Sequence, residues 1–445
     1  MSIPAPPEPD APTPTRDPLP WLPAPNPYSV VVAVLVLSLL FAPLIRFPFD
    51  VESCWLPWSR ASLGYLPWRI YLTRPDCNYP PLVLYLLTVQ EAMRRALHAD
   101  ETGVISLVLT KLPNLVAHLA GALAGYFLLR KPYGELYARR FTLLYATSLS
   151  LFVNAALWGQ ADALLALPML LSVLFLMRDR PVHAGVALGI ALTVKLQAVV
   201  IAPVLLLYAF RRFGAAALLR AAVAGLLVMA VVALPFVLAG ATAPMLKAYT
   251  GANGYYPLRS LNTFNLWGGV NYVDQYVRHL PSDTLNQDDR PALGALTFRH
   301  VGILLFLAAL AALMVTLWRR PTATLLAWTA GLSALAFVTL CTQMHERYWV
   351  PGAALLLIVA PESLPALGLV LLVGANSAWN QWLVLLSNFS QYNPLPPWCK
   401  WSLDAGWGPS CKYLPPVNVI LLAAALVGTA LAAQTRQKPP FDGLE

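Results

Sequence analysis

Charge is scarce in this chain. Only 11% of its 445 residues are Asp, Glu, Lys or Arg, 58% are hydrophobic, and mean hydropathy is +0.60. A soluble globular domain carries about 25% charged residues, so that class is excluded. Successive apolar runs long enough to cross about 30 Å of hydrocarbon make an all-α polytopic membrane protein the expected fold. Histidine (six) and cysteine (five) are few, and no Cys or His set stands at metal-ligand spacing. Walker and Rossmann glycine patterns are missing, which leaves nucleotide-dependent chemistry without support. Neither an internal repeat nor a soluble second domain is visible. The net charge of +9 needs no nucleic acid, because basic cytoplasmic loops facing acidic lipid or phosphate account for it.

Residues 1–27 are crowded with proline and lack a basic n-region, so they read as a disordered cytoplasmic leader. The run 28–45 spans about 27 Å as a helix. No small-x-small cleavage site follows it, and it is expected to stay as the first span. Apolar runs at 104–129, 140–157, 161–177, 183–196, 197–210, 217–239, 298–318, 322–342, 349–361, 364–386 and 415–433 bring the expected total to about twelve within a transmembrane domain 28–433.

The segment 79–97 is ambiguous between a further crossing and a surface helix. Basic clusters at 130–140, 178–180, 211–212 and 319–320, with Arg436 and Lys438 in a tail 434–445, belong in the cytoplasm by the positive-inside rule. Both termini are then cytoplasmic, and 79–97 does not cross. Its Gln90, Glu91, Arg94 and Arg95 suit a helix lying in the outer interface. Loops 46–103, 240–297 and 387–414 become external. Cys54 and Cys77 fall in the first of these and Cys399 and Cys411 in the last. Two outer pairs suggest two disulfides in an oxidising compartment, each worth about 3 kcal/mol; the other reading is four free thiols.

Chemistry concentrates at these outer tips. Asp50 and Glu52, just past the first span, are either solvated loop acids or a base for a substrate hydroxyl. Asn78-Tyr79-Pro80-Pro81 starts a helix and either does only that or also holds Asn78 and Tyr79 over a site. In Trp158-Gly159-Gln160-Ala161-Asp162, a carboxylate at headgroup depth asks for a reason, though Asp162 also suits a helix start. Lys195 and Gln197 interrupt an apolar hairpin, where lysine either snorkels or meets an anion such as phosphate. His345-Glu346-Arg347-Tyr348 offers a guanidinium fork for phosphate oxygens, or an interfacial ion pair. Asn265 and Trp267, in Asn262-Thr263-Phe264-Asn265-Leu266-Trp267-Gly268-Gly269, suit stacking on sugar rings, or an ordinary interfacial loop.

Taken in order, an acid after the first span, then YPPL, WGQAD, KLQ, NLWGG and MHERY, the chain over residues 28–390 resembles the GT-C superfamily of glycosyltransferases that use polyprenyl-phosphate sugars. It looks most like the bacterial mannosyltransferases related to the second mannosyltransferase of GPI-anchor assembly. In plan it is similar to the dolichyl-phosphate-glucose glucosyltransferases. The resemblance implies a long external loop with an interfacial helix, and a catalytic acid near its start, hence Asp50 before Glu52. It departs from the pattern where Asn78 replaces the family's Asp. It implies an inverting hexose transfer, with mannose favoured, from a polyprenyl-phosphate donor to a lipid, glycan or protein hydroxyl on the outer face of a bacterial plasma membrane. No metal is required if Lys195, His345 and Arg347 neutralise the phosphate, and a divalent metal stays compatible with the same set. The competing class is a transporter or flippase of lipid-linked saccharide, which calls for repeats and polar groups at mid-membrane. A noncatalytic scaffold is a third reading.

Overall fold

The computed structural model describes residues 17–46, 49–101, 103–251, 256–280, 286–391 and 394–434. In chain order its main helices are α1 (Pro27–Phe41), α2 (Leu56–Gly64), α3 (Pro81–Ala96), α4 (Val104–Tyr133), α5 (Glu135–Ala146), α6 (Asp162–Met177), α7 (Pro181–Val194), α8 (Ala202–Leu238), α9 (Leu266–Tyr272), α10 (Phe298–Arg319), α11 (Ala323–Leu340), α12 (Trp349–Leu356), α13 (Leu364–Ser390) and α14 (Pro397–Gln434). Two π-helical turns, Phe49–Trp55 and Val153–Trp158, precede α2 and α6. Among the described residues the only sheet is a hairpin, Pro291–Leu293 against Leu296–Thr297.

Six helical runs are long and apolar enough to cross a membrane, or seven if the bent pair Glu135–Ala146 and Leu149–Trp158 forms one span. Pro27–Phe41, Asp162–Met177, Pro181–Val194 and Trp349–Glu362 are apolar but shorter. The runs expected at 197–210 and 217–239 are joined into Leu196–Leu238, broken only at Gly214. There φ is +79° and ψ 175°, a state glycine enters without the steric cost of a side chain. The chain reverses at this point. Lys195, before the run, meets Asp162, and the carbonyl of Val232, near its end, accepts from Tyr85 of α3 at the same end of the bundle. Arg212, at the break, instead pairs with Asp179 at the opposite end.

That opposite end gathers the basic clusters. Arg211 lies over the Trp318 ring at 4.4 Å. Buried Arg140 donates to the Asp17 carboxylate at 2.7 and 2.8 Å and to the carbonyl of Leu22 at 3.1 Å, while Leu19 and Leu22 are themselves buried. The expected leader is therefore fastened to the bundle from Asp17 onward. Residues 1–16, and 435–445 of the expected tail, lie outside the described residues.

Helix α3 packs on α2 and α4, with Val83, Leu84 and Leu87 turned inward. Of the polar residues expected to suit an interfacial helix, Gln90, Glu91 and Arg94 also face inward, and only Arg95 is exposed. Burial is tolerated because each is paired. Gln90 Nε2 donates to the carbonyls of Leu109 and Thr110 at 3.0 and 2.9 Å, and Glu91 holds Arg94 as well as Arg95 at 2.9 Å.

The loop expected at 387–414 is mostly helix, because α13 runs to Ser390 and α14 starts at Pro397, where a proline costs no hydrogen bond. Cys399 and Cys411 consequently stand on one helix, about 18 Å apart at 1.5 Å per residue. A disulfide spans no more than about 7 Å between Cα atoms, so this expected bridge is overturned. All five cysteines are free thiols. Cys77 is buried and Cys54 packs against the same core, and burial pushes their thiols up to about 12 and about 11.

Candidate active site

The π turn after α1 presents Asp50 to the turn before α6. Asp50 Oδ2 accepts from Trp158 Nε1 at 2.8 Å and from Gln160 Nε2 at 2.5 Å. The side chain keeps partial exposure, so it can be reached. Its surroundings are nevertheless poor in water. Burial raises its pKa above the ordinary aspartate value, against the lowering pull of Arg347, Trp158 and Gln160. Gln160 is oriented in turn, with its Oε1 accepting from the Tyr79 hydroxyl at 3.4 Å. The Tyr79 ring packs against Trp55 and Trp58, centroids 5.0 and 6.0 Å away. A left-handed Gly159, φ +86°, lets the chain turn between Trp158 and Gln160.

A second cluster lies against the first. Asp162, in the first turn of α6 and fully buried, accepts from Lys195 Nζ at 2.6 Å and stands 3.6 Å from Arg347 Nε. Lys195 also lies over the Tyr348 ring at 4.1 Å. Arg347 Nη1 donates to Glu346 Oε1 at 2.7 Å and is 3.3 Å from His345 Nδ1. For Glu346, burial raises the pKa, but Arg347 and His345 outweigh it and hold it at about 2. Burial, then Arg347, lowers the pKa of His345. Gln197 Nε2 donates to the Tyr348 carbonyl at 3.1 Å and so braces the same turn. Arg347 Nε, Asp162 Oδ2 and Gln197 Oε1 are buried without hydrogen-bond partners. Buried polar atoms are seldom left so; this is spare capacity for a polar ligand.

The structure thus brings together Asp50, Tyr79, Gln160, Asp162, Lys195, Gln197, His345, Glu346 and Arg347. It leaves four others out. Glu52 is exposed and paired with Arg46. Asn78 is exposed at the edge of the loop. Asn265 spends its amide on the carbonyls of Val338 and Cys341, at 3.1 and 3.2 Å, and its Oδ1 on the Gly268 amide, which caps α9. Trp267 is buried, its Nε1 donating to Leu340 O at 2.7 Å.

The model of glycosyltransferase family 87 matches residues 77–343, more than half the chain. The chain belongs to glycosyltransferase family 87. It is therefore a membrane glycosyltransferase, and the GT-C resemblance of its motifs is borne out. No curated protein matches it. Among solved structures it is similar to ArnT from Cupriavidus metallidurans bound to undecaprenyl phosphate, at 16% identity and a TM-score of 0.50, covering 92% of this chain and 77% of that one. It is also matched to the Archaeoglobus fulgidus oligosaccharyltransferase in the apo form, at 15% identity and a TM-score of 0.41, covering 91% of this chain and 56% of that one. At such identities the likeness to ArnT speaks for the fold alone.

Three residues of the transferase that hold this site escape a motif search. Asn154 accepts the amides of Gly159 and Gln160 on its carbonyl at 2.8 and 3.1 Å, and that of Ala163 on its Oδ1 at 3.0 Å. Its Nδ2 reaches Gln381 of α13 at 3.0 Å. Asn114 Nδ2 donates to Gly159 O at 3.1 Å. The signal available for both asparagines was a lone amide inside an apolar run, which needs a partner in the interior.

Trp158→Phe removes one donor from the Asp50 carboxylate while keeping an aromatic, though smaller, ring. The charged form loses a hydrogen bond worth about 1.5 kcal/mol, so the acid limb of the rate–pH profile is expected to move up by roughly one pH unit. A profile superimposable on the wild type would show that Asp50 does not set that limb.

Proposed function

We propose that this family 87 enzyme transfers a hexose from a polyprenyl-phosphate donor to an acceptor hydroxyl, inverting the anomeric centre, at the extracytoplasmic face of the membrane. The observation that carries this reading is the meeting of Asp50, a largely buried but reachable carboxylate with its pKa raised by burial, with the Lys195–Asp162–Arg347 cluster. Asp50 takes the proton of the acceptor hydroxyl as its oxygen bonds to the anomeric carbon. The bond from that carbon to the phosphate oxygen breaks on the opposite face. Lys195 and Arg347 stabilise the charge that develops on the departing polyprenyl phosphate, usually the largest contribution in such transfers. Gln160 and Tyr79 orient the base.

Sidedness is supported by the gathering of the basic clusters at the end away from Asp50. The two arms of the run broken at Gly214, together with the four short helices, supply the remaining crossings of a twelve-span topology. ArnT, of similar fold, was solved with undecaprenyl phosphate, which favours a lipid-phosphate donor here. Mannose is the hexose favoured by the motifs. The cationic pair takes the place of a metal, so the transfer is metal-independent.

The test offers radiolabelled polyprenyl-phosphate mannose and glucose to the full chain in nanodiscs, with a membrane-lipid extract as acceptor and with or without EDTA. EDTA-insensitive label transfer with inverted configuration is expected. Transfer from a nucleotide sugar alone would overturn the proposed donor, and loss of transfer in EDTA would overturn metal independence.

A further inference from the structure

Lys111 belongs to none of the motifs and is nearly inaccessible, 1% exposed, in the first third of α4. Its three ammonium donors all go to main-chain oxygens: Ala42 O at 2.6 Å, Ile45 O at 2.7 Å and Leu157 O at 2.6 Å. Ala42 caps the C-terminal end of α1, and Leu157 is the next-to-last residue of the π turn that ends at Trp158. Terminal carbonyls of a helix have no partner within it, and the dipole leaves that end negative. One ammonium with three donors therefore ties two helix ends together. Those ends are the two approaches to the site. Asp50 follows Ile45 in the chain, Trp158 follows Leu157, and Asp50 and Trp158 are hydrogen-bonded to each other. The lysine stem lies on Gly159, where an added Cβ would come within 2.7 Å of Lys111 Cγ. Asn114, one turn along the same face of α4, holds Gly159 O and so touches the Trp158–Gln160 turn.

We propose that Lys111 is a positioning residue that fixes the distance between the Asp50 turn and the Trp158–Gln160 turn, so that the carboxylate meets its two donors before substrate arrives. This rests on the reading of Asp50 as the base. A misplacement of about 1 Å in such a site costs about 10²-fold in rate. The closing experiment uses the full chain in nanodiscs as wild type, Lys111→Met, Lys111→Arg and Asn114→Ala. It reads amide hydrogen exchange together with kcat and KM for the polyprenyl-phosphate hexose.

Lys111→Met should speed exchange about tenfold in both 49–55 and 157–163, leave α11 and α13 unchanged, and lower kcat about 10²-fold at unchanged donor KM. Lys111→Arg, which keeps the donors, should restore most of both. Asn114→Ala should loosen 157–163 only. Loosening of a single segment by Lys111→Met, loosening spread through the bundle, or unchanged kcat with both segments loosened overturns the tether. If Lys111→Met does not fold, Asn114→Ala decides: loosening at 49–55 with Lys111 intact overturns it. Exchange needs no donor. A chain that behaves as described in exchange but transfers no sugar would refute the proposed polyprenyl-phosphate hexose transfer while supporting the tether.

Discussion

Asp50→Asn is expected to lower kcat about 10³-fold while leaving donor affinity nearly unchanged. A positioned general base contributes about 10² to 10⁴ in rate, and the amide is isosteric with the carboxylate it replaces. Trp158 and Gln160 still have an oxygen to donate to, so the turn should keep its place. The loss falls on the step in which the acceptor hydroxyl gives up its proton, not on binding. Single-turnover transfer measured beside donor binding separates the two. Undiminished transfer would pass the role to Glu52, the other acid of the turn, which in the folded protein is exposed and engaged with Arg46.

Asp162→Ala is expected to destabilise the protein by about 3–5 kcal/mol, the range for removing one partner of a buried ion pair. The reason is what it leaves behind. Asp162 is fully buried and Lys195 only 15% exposed, and Arg347 retains Glu346 at 2.7 Å, so Lys195 is the cation left without its carboxylate. The double variant Asp162→Ala/Lys195→Met removes both charges and should recover much of the loss, with a coupling of at least about 1 kcal/mol. Denaturation of the four proteins of that cycle provides the measurement. Strict additivity would mean that the pair is held apart in solution and that the cluster is not one electrostatic unit. Activity should vanish in every variant lacking Lys195.

The apolar runs announced the fold because a span must satisfy its own backbone and show a hydrophobic face to lipid, and both demands are written in composition. The site was legible where polar residues interrupted those runs at their tips: the segments around Asp50, Gln160–Asp162, Lys195 and His345–Arg347 converge. Asn265 and Trp267 misled because an amide and an indole look alike in sequence whether they face a sugar or cap a helix. The cysteines misled because the interval between the apolar runs 364–386 and 415–433 suggested a loop where α14 in fact continues through Pro409, Pro415 and Pro416. Lys111 carried the same signal as Lys195, a lone cation in an apolar run. Its partners are carbonyls of distant segments, which no sequence pattern announces. Gln90, Glu91 and Arg94 show the converse: polar type suited them to an interfacial helix, and pairing lets them face its packed side.

Gly214 carries a consequence for the whole chain. Asp50 and Asp162 are synthesised before it and Arg347 after it, yet they share one cluster. Were the helix to run straight through that residue, everything downstream would emerge on the other side of the bilayer, and the two halves of the cluster would never see each other. The handedness of a single backbone torsion thus governs parity, and with it whether the second half of the polypeptide is delivered to the compartment where the first half waits.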